Sequence, residues 1–235
     1  MNLSAVTVLI INRKTLHLTR ACLESLFQFY PDIHVLLIDN RSDGDPSEQW
    51  IRDISQIYPN VTPYMIIQGE PHHALGLNTA FSICTTPYII SLDSDVTVLR
   101  GEWIEAMSQA FLADPLLFAI GQLALNSNSD CTRAPFPDEK SYAFVSPFCA
   151  MWDVTKFRQM KVAFDFGGQP ACTPCRAATR NGYHLANLPG LHPNNLPNGN
   201  VQPYVYHEWG GTRHRLMVLE DWERQQKGKE RNDRY

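Results

Sequence analysis

No stretch of the chain approaches the roughly 18 consecutive apolar residues that a bilayer-crossing helix requires, so no transmembrane segment is expected. The N-terminus also lacks a basic region leading into an apolar segment and a cleavage site. A cytoplasmic protein with reduced thiols is the expectation, since the six cysteines are scattered rather than set out as a disulfide framework. In that setting Asn2-Leu3-Ser4 and Asn60-Val61-Thr62 match the glycosylation acceptor pattern by chance. A large excess of one charge is missing too: 20 Lys and Arg face 24 Asp and Glu, a formal net charge of −4. That argues against a nucleic-acid binder working by general electrostatics. It leaves room for small anionic ligands held by local groups and metals. There is no internal repeat.

What is present is an ordinary globular balance: 235 residues, 44% hydrophobic and 19% charged, enough to bury a sizeable core. Residues 6–11 read as a first core strand, followed by a helix over about 15–30 in which Leu18, Cys22, Leu26 and Tyr30 share one face. A second apolar strand at 35–38 ends in Asp39, and a loop at 40–46 leads to a helix over about 47–58. A third strand is expected at 64–67, a helix over 75–85, and a fourth strand ending at Asp93. Strands that are apolar throughout and alternate with helices indicate a parallel sheet covered on both faces. Ligands of such sheets sit beyond the strands' carboxyl ends. Asn12, Asp39, Asp93 and Asp95 all fall there.

Asp93-Ser94-Asp95 is the centre of interest. In extended chain the two carboxylates project to one side, and paired hard oxygen donors suit a divalent cation. The competing reading is a turn after a strand, which Asp and Ser favour. Further on, a helix is expected over 102–113, a strand at 118–121, a polar loop over 126–140, a strand over 142–151 and a short helix over 154–160. Thr173-Pro174 is expected to open a helix with Thr173 as N-cap, and Asn181-Gly182 to close it. Residues 188–201 form a Pro- and Asn-rich loop of the kind that serves as a lid or binding loop. The charged tail from 222 to 235 reads as a solvated helix or frayed end; its basic residues alternate with acids.

Four motifs in order carry a resemblance: Asn12-Arg13 after the first strand, Ile38-Asp39-Asn40-Arg41-Ser42-Asp43, His73-Ala74-Leu75-Gly76-Leu77-Asn78, and Leu92-Asp93-Ser94-Asp95. Together they resemble the nucleotide-sugar-dependent glycosyltransferases of family 2, which have the GT-A fold. The likeness covers about the first hundred residues and thins to Phe164-Asp165, Gly182-Tyr183 and His207-Glu208-Trp209-Gly210-Gly211. It implies a Rossmann-like, mostly parallel sheet flanked by helices, in one α/β domain over 1–235. Residues 1–100 would be the nucleotide-sugar half, 101–218 an irregular acceptor half and 219–235 a tail.

The resemblance also implies roles. Asp39 would accept hydrogen bonds from the nucleobase, and Asn12 and Arg13 would lie near base and ribose. Asn78 and Ser94 would line the nucleotide-sugar. Asp93 would contact the ribose or a metal-bound water, and Asp95 would bind Mn2+ or Mg2+ directly. His207 is either the third metal ligand or an ordinary half-buried histidine beside Tyr204, Tyr206 and Trp209. Imidazole among the ligands favours Mn2+.

The family pattern breaks where its general base belongs. Counting back from Gly182-Tyr183, the expected acidic pair falls on Pro170-Ala171, and neither can take a proton. Asp165 is the nearest acid and Asp153 the fallback, each with a turn or cap role as the plainer reading. Cys172-Thr173-Pro174-Cys175 stands in that region instead, and His184 and His192 follow it. A zinc site, a redox thiol with its pKa lowered by the helix N-terminus, and a structural pair are the readings, the last being the default.

The leading expectation is an inverting, metal-dependent glycosyltransferase that uses a UDP-sugar and a glycan or lipid-linked sugar acceptor framed by Trp152, Trp209 and the 188–201 loop. The alternative is a GT-A-fold module that binds nucleotide or glycan without turnover. A sugar nucleotidyltransferase would want a glycine-rich loop after the first strand, and Ile11 to Leu16 contains no glycine. A homodimer is a further partner expectation. His72-His73 reads as loop polarity.

Overall fold

The computed structural model describes residues 2–127, 141–167, 169–191 and 203–208. The first half alternates strand and helix: β1 (Val6–Asn12), α1 (Leu16–Phe29), β2 (His34–Asn40), α2 (Pro46–Ile57), β3 (Val61–Ile66), α3 (His73–Ile83) and β4 (Tyr88–Asp93). After the short β5 (Val96–Val98) come α4 (Trp103–Ala113), β6 (Leu117–Ser127), β7 (Ser141–Asp153), α5 (Val154–Met160), α6 (Cys172–Arg180), β8 (His184–Asn187) and β9 (Val205–His207).

The main sheet has seven strands in the order β3-β2-β1-β4-β7-β6-β8. Pairing is parallel from β3 through β4, and β7 is antiparallel to both of its neighbours. The expected mostly parallel α/β architecture is what forms.

Alternation along each strand sorts the side chains. Val6, Val8 and Ile10 of β1 join the core under α1, α2 and α4, with Cys22, Leu23, Ile51 and Met107. Leu9 faces the other way, into a second core with Leu77 and Phe81 of α3, Phe157 of α5 and Cys175 of α6. Both faces are buried, which is why the strands read as unbroken apolar runs.

Three expectations about elements need correction. The third strand is Val61–Ile66, earlier than 64–67, and Ile67 lies outside it, 72% exposed. Pro63 within the run argues against a strand, but β3 is the sheet's edge, where a missing N–H costs no ladder bond. The polar segment expected as a loop from 126 is preceded by strand as far as Ser127; residues 128–140 lie outside the described residues. The third correction concerns α6, which begins at Cys172 with Ala171 at the N-cap, so Thr173 is inside the helix. Its backbone N–H is met by the Asp165 carboxylate at 3.1 Å rather than by a threonine cap.

The helix α3 sits close to the sheet because of Gly76. A Cβ there would lie 2.8 Å from Ile11 Cδ1 and 2.9 Å from its Cγ2. Gly76→Ala is expected to destabilise the fold by about 1–3 kcal/mol through overpacking, despite the gain in helix propensity. A thermal melt equal to wild type would show that Ile11 yields without strain.

Candidate active site

The carboxyl ends of β1, β2 and β4 lie side by side, with Asn12 opposite Asp39 and Ile11 opposite Asp93. Asn12 is the hub of the β1–β2 side. Its amide nitrogen donates to Asp39 Oδ1 (2.9 Å) and Ser42 Oγ (3.0 Å). Its oxygen accepts from the Thr19 hydroxyl (2.8 Å) and from the Thr15 hydroxyl and N–H. Asn12 is fully buried with every polar group engaged, so its work is to hold this corner rather than to touch a ligand.

Asp39 is only 1% exposed, and its second oxygen accepts from Ser42 N–H at 2.9 Å. It thereby ties the start of the loop after β2. Arg13 reaches across to the Pro71 carbonyl and Arg41 to the Gly69 carbonyl, at 2.9 and 2.7 Å. Asn40 donates to the His72 carbonyl. These three bonds stitch the loops that follow β1 and β2 to the loop before α3.

On the β4 side, Asp93, Asp95 and His207 present ligand atoms that all lie within 4.8 Å of one another. β9 makes this possible: it pairs antiparallel with β5, opposing His207 to Val96, and Glu208 N–H donates to the Asp95 carbonyl. His207 Nε2 is 3.0 Å from Asp95 Oδ1 and 3.7 Å from Asp93 Oδ2. Its ring stacks on Phe148 with centroids 4.7 Å apart. Two carboxylates and one imidazole are a donor set that suits Mn2+, and these residues fit the ion the sequence suggests. Ser94 is buried between them, with its hydroxyl 3.5 Å from that of Thr15.

His73, the first residue of α3, lies with Nε2 3.3 Å from Asp93 Oδ1. Burial lowers its pKa, but the Asp93 and Asp95 charges outweigh that and the net shift is upward. Asp93 is the mirror case. Burial raises its pKa, and the His73 contact with the more distant His207 turns the shift downward. His73 is legible as the first residue of a family motif and as a polar loop residue; nothing local in the sequence signals its carboxylate partner.

Other expected site residues go elsewhere. Asn78 spends its amide on both backbone groups of Phe164, donating to the carbonyl (3.1 Å) and accepting from the N–H (2.8 Å). It clips the 164–166 segment to α3 rather than reaching out for a ligand. Asp153 pairs with Tyr88, the first residue of β4, whereas Asp93 is the last. About 16 Å of strand separates the two levels, so Asp153 is at the wrong end of the sheet. It caps α5 and binds Lys156 Nζ at 2.8 Å.

Asp165 lies in the segment that Asn78 clips to α3. Phe166 beside it packs on His72, with ring centroids 5.3 Å apart, which brings this loop to the α3 N-terminus next to His73. Trp152, expected to frame an acceptor, is wholly buried and donates its indole N–H to Ser91 Oγ. Trp209, His192 and the tail fall outside the described residues.

Cys172 and Cys175 point into the core with no exposure. Burial pushes the Cys175 thiol up to about 12, so for this thiol desolvation overrides the helix N-terminus. His184 bonds Asp114 at 2.7 Å, and among the described residues no Cys/His metal cluster forms.

Known structures resemble this one. A mannosyltransferase, PcManGT from Pyrobaculum calidifontis, solved with GDP-Man and Mn2+, matches with TM-score 0.57 and 20% identity over 79% of this chain and 55% of its own. Residues 1–349 of TarS from S. aureus match with TM-score 0.56 and 11% identity over 91% and 63%. The same TarS fragment in complex with UDP-GlcNAc matches with TM-score 0.53 and 13% identity over 86% and 57%. This chain thus spans 55–63% of the length of these structures. No curated protein sequence matches it. The family model for glycosyl transferase family 2 matches residues 6–184, well over half of the chain. The chain belongs to glycosyl transferase family 2.

Proposed function

We propose that this chain transfers a sugar, with inversion, from a nucleotide-diphospho-sugar to a hydroxyl acceptor. A divalent cation would be held by Asp93, Asp95 and His207. The observation that carries the reading is that cluster, assembled from β4, the turn after it and β9 at the carboxyl edge of the sheet. When bound, Mn2+ or Mg2+ supplies Lewis-acid stabilisation of the charge that grows on the departing diphosphate.

The residues of the chain do the rest. The two carboxylates and the imidazole give the cation a fixed seat, and Asp39 and the loop it holds border the nucleobase side. Asp165 is the proposed general base. Thr173 N–H occupies its Oδ2, and Oδ1 would face the acceptor hydroxyl. Uridine is the expected base of the donor. Because the similar structures were solved with GDP-Man and with UDP-GlcNAc, guanosine is its direct competitor. A glycan or lipid-linked sugar is the proposed acceptor.

Calorimetric titration of UDP, GDP and dTDP, each with and without Mn2+, tests the reading. One nucleotide is expected to bind only with metal; no binding under any condition would sink it. Asp165→Asn, which keeps the Thr173 contact, is expected to slow transfer by about 100-fold or more while nucleotide affinity holds. Unchanged transfer would remove Asp165 from the base role.

A second reading, a nucleotide- or glycan-binding module without turnover, is favoured by one observation. Pro170 and Ala171, at the family's acidic positions, are both buried. Metal-dependent nucleotide binding with neither transfer nor donor hydrolysis across a broad sugar panel would select it.

A further inference from the structure

Asp93 has two oxygens with different neighbours. Oδ2 looks toward His207 Nε2 at 3.7 Å, and Oδ1 toward His73 Nε2 at 3.3 Å. His73 is not a member of the three-residue cluster. It approaches Asp93 from α3, whereas β9 carries the cluster's imidazole.

The position of His73 is fixed from several sides. The His72 ring caps α3 by accepting from Ala74 N–H at 3.1 Å. Gly76 lets the helix pack against Ile11, the residue opposite Asp93 across the β1–β4 ladder. Asn78 then clips the next turn to the Phe164 backbone. An ionised carboxylate can only accept, so at this contact His73 is the donor.

We propose that His73 is a positioning residue: it holds Oδ1 of Asp93 so that Oδ2 alone is turned toward the cation. The proposal rests on reading Asp93, Asp95 and His207 as a divalent-metal site. A carboxylate free to rotate would alternate between one-oxygen and two-oxygen contact with a cation, or swing toward solvent, since its side chain is 26% exposed. Donors that fix ligating carboxylates or histidines commonly change metal affinity 10- to 100-fold.

The test is Mn2+ affinity, read from the electron paramagnetic resonance signal of free Mn2+ with UDP or, separately, GDP present, against a protein-free titration of each nucleotide that accounts for the Mn2+ the diphosphate itself binds. The proteins are wild type, His73→Phe, His73→Gln and Asp95→Ala, each checked by its melting temperature. His73→Phe keeps the ring without the donor and is expected to weaken Mn2+ binding roughly 10- to 100-fold. His73→Gln carries an amide N–H near the position of Nε2 and is expected to recover most of that loss.

Wild-type affinity in His73→Phe would overturn the proposal, and so would equal weakening in the Phe and Gln variants. Both outcomes leave the metal site standing as long as Asp95→Ala abolishes binding. If wild type binds no Mn2+, or Asp95→Ala binds as well as wild type, the metal-site reading fails and the His73 assignment falls with it.

Discussion

Asp95→Asn is expected to abolish Mn2+-dependent nucleotide binding and to lower sugar transfer at least about a hundredfold, the scale set by losing one preorganised contact to developing charge. The substitution keeps shape and volume and removes only the charge. Asp95 is nearly buried, with its side chain 7% exposed and Oδ1 3.0 Å from His207 Nε2. A neutral amide in that place gives a hard cation a far weaker seat, and the histidine loses its anionic neighbour. The fold should survive, because the strand pairing that brings His207 here runs through backbone groups of Val96 and Val98 and not through the carboxylate. Calorimetry with UDP and GDP in the presence of Mn2+ reads the first effect and a thermal melt the second. A variant that binds the metal–nucleotide pair like wild type would reduce Asp93-Ser94-Asp95 to a turn.

The second large effect concerns stability. Trp152→Ala is expected to cost about 3–5 kcal/mol, a large share of the roughly 5–15 kcal/mol that holds a typical domain together. At this size the melting temperature should fall by roughly 6–20 °C. Trp152 has no exposure; its ring meets Phe81, Phe118 and Phe164 edge-on, at centroid distances of 6.3, 5.8 and 5.6 Å. Its removal opens a cavity between the sheet and the helices α3 and α5 and takes away the indole donor to the Ser91 hydroxyl. An acceptor platform would behave differently: the acceptor KM would rise while the melt stayed put. Differential scanning calorimetry on Trp152→Ala and Trp152→Phe, with nucleotide affinity of the folded protein as a second reading, separates the two. A melt within a degree or two of wild type would return Trp152 to the surface.

The contrast between these residues shows what a sequence can disclose. Asp93 and Asp95 are legible because local chemistry suffices: an apolar run marks the strand and two acids stand at its end, although Ser94 and Asp95 form a turn rather than extending the strand. Asn12, Asn78 and Trp152 stand out in the sequence as candidates for touching donor or acceptor. Each is spent on the protein itself, Asn12 on Asp39 and Ser42, Asn78 on Phe164, Trp152 on Ser91. These partners lie 27 to 86 positions away in sequence, and hydrogen-bond saturation is a property of the pair. Asp153 was misplaced for a related reason. Being acidic and near a strand end says nothing about which edge of the sheet that end occupies, and the antiparallel course of β7 puts it opposite Tyr88.

The sequence by itself determined the alternation of strand and helix over the first hundred residues, the parallel sheet with both faces buried, and the acids at its carboxyl edge. All of these follow from periodicity and from side-chain chemistry within a few residues. Only the tertiary structure decided that β9 returns His207 to Asp95 across 112 positions, that His73 leans on Asp93, and that Cys175 is an inert core thiol. Those outcomes depend on distances between segments and on desolvation. Both are set when the helices pack onto the sheet and neither is written in any local stretch of the chain.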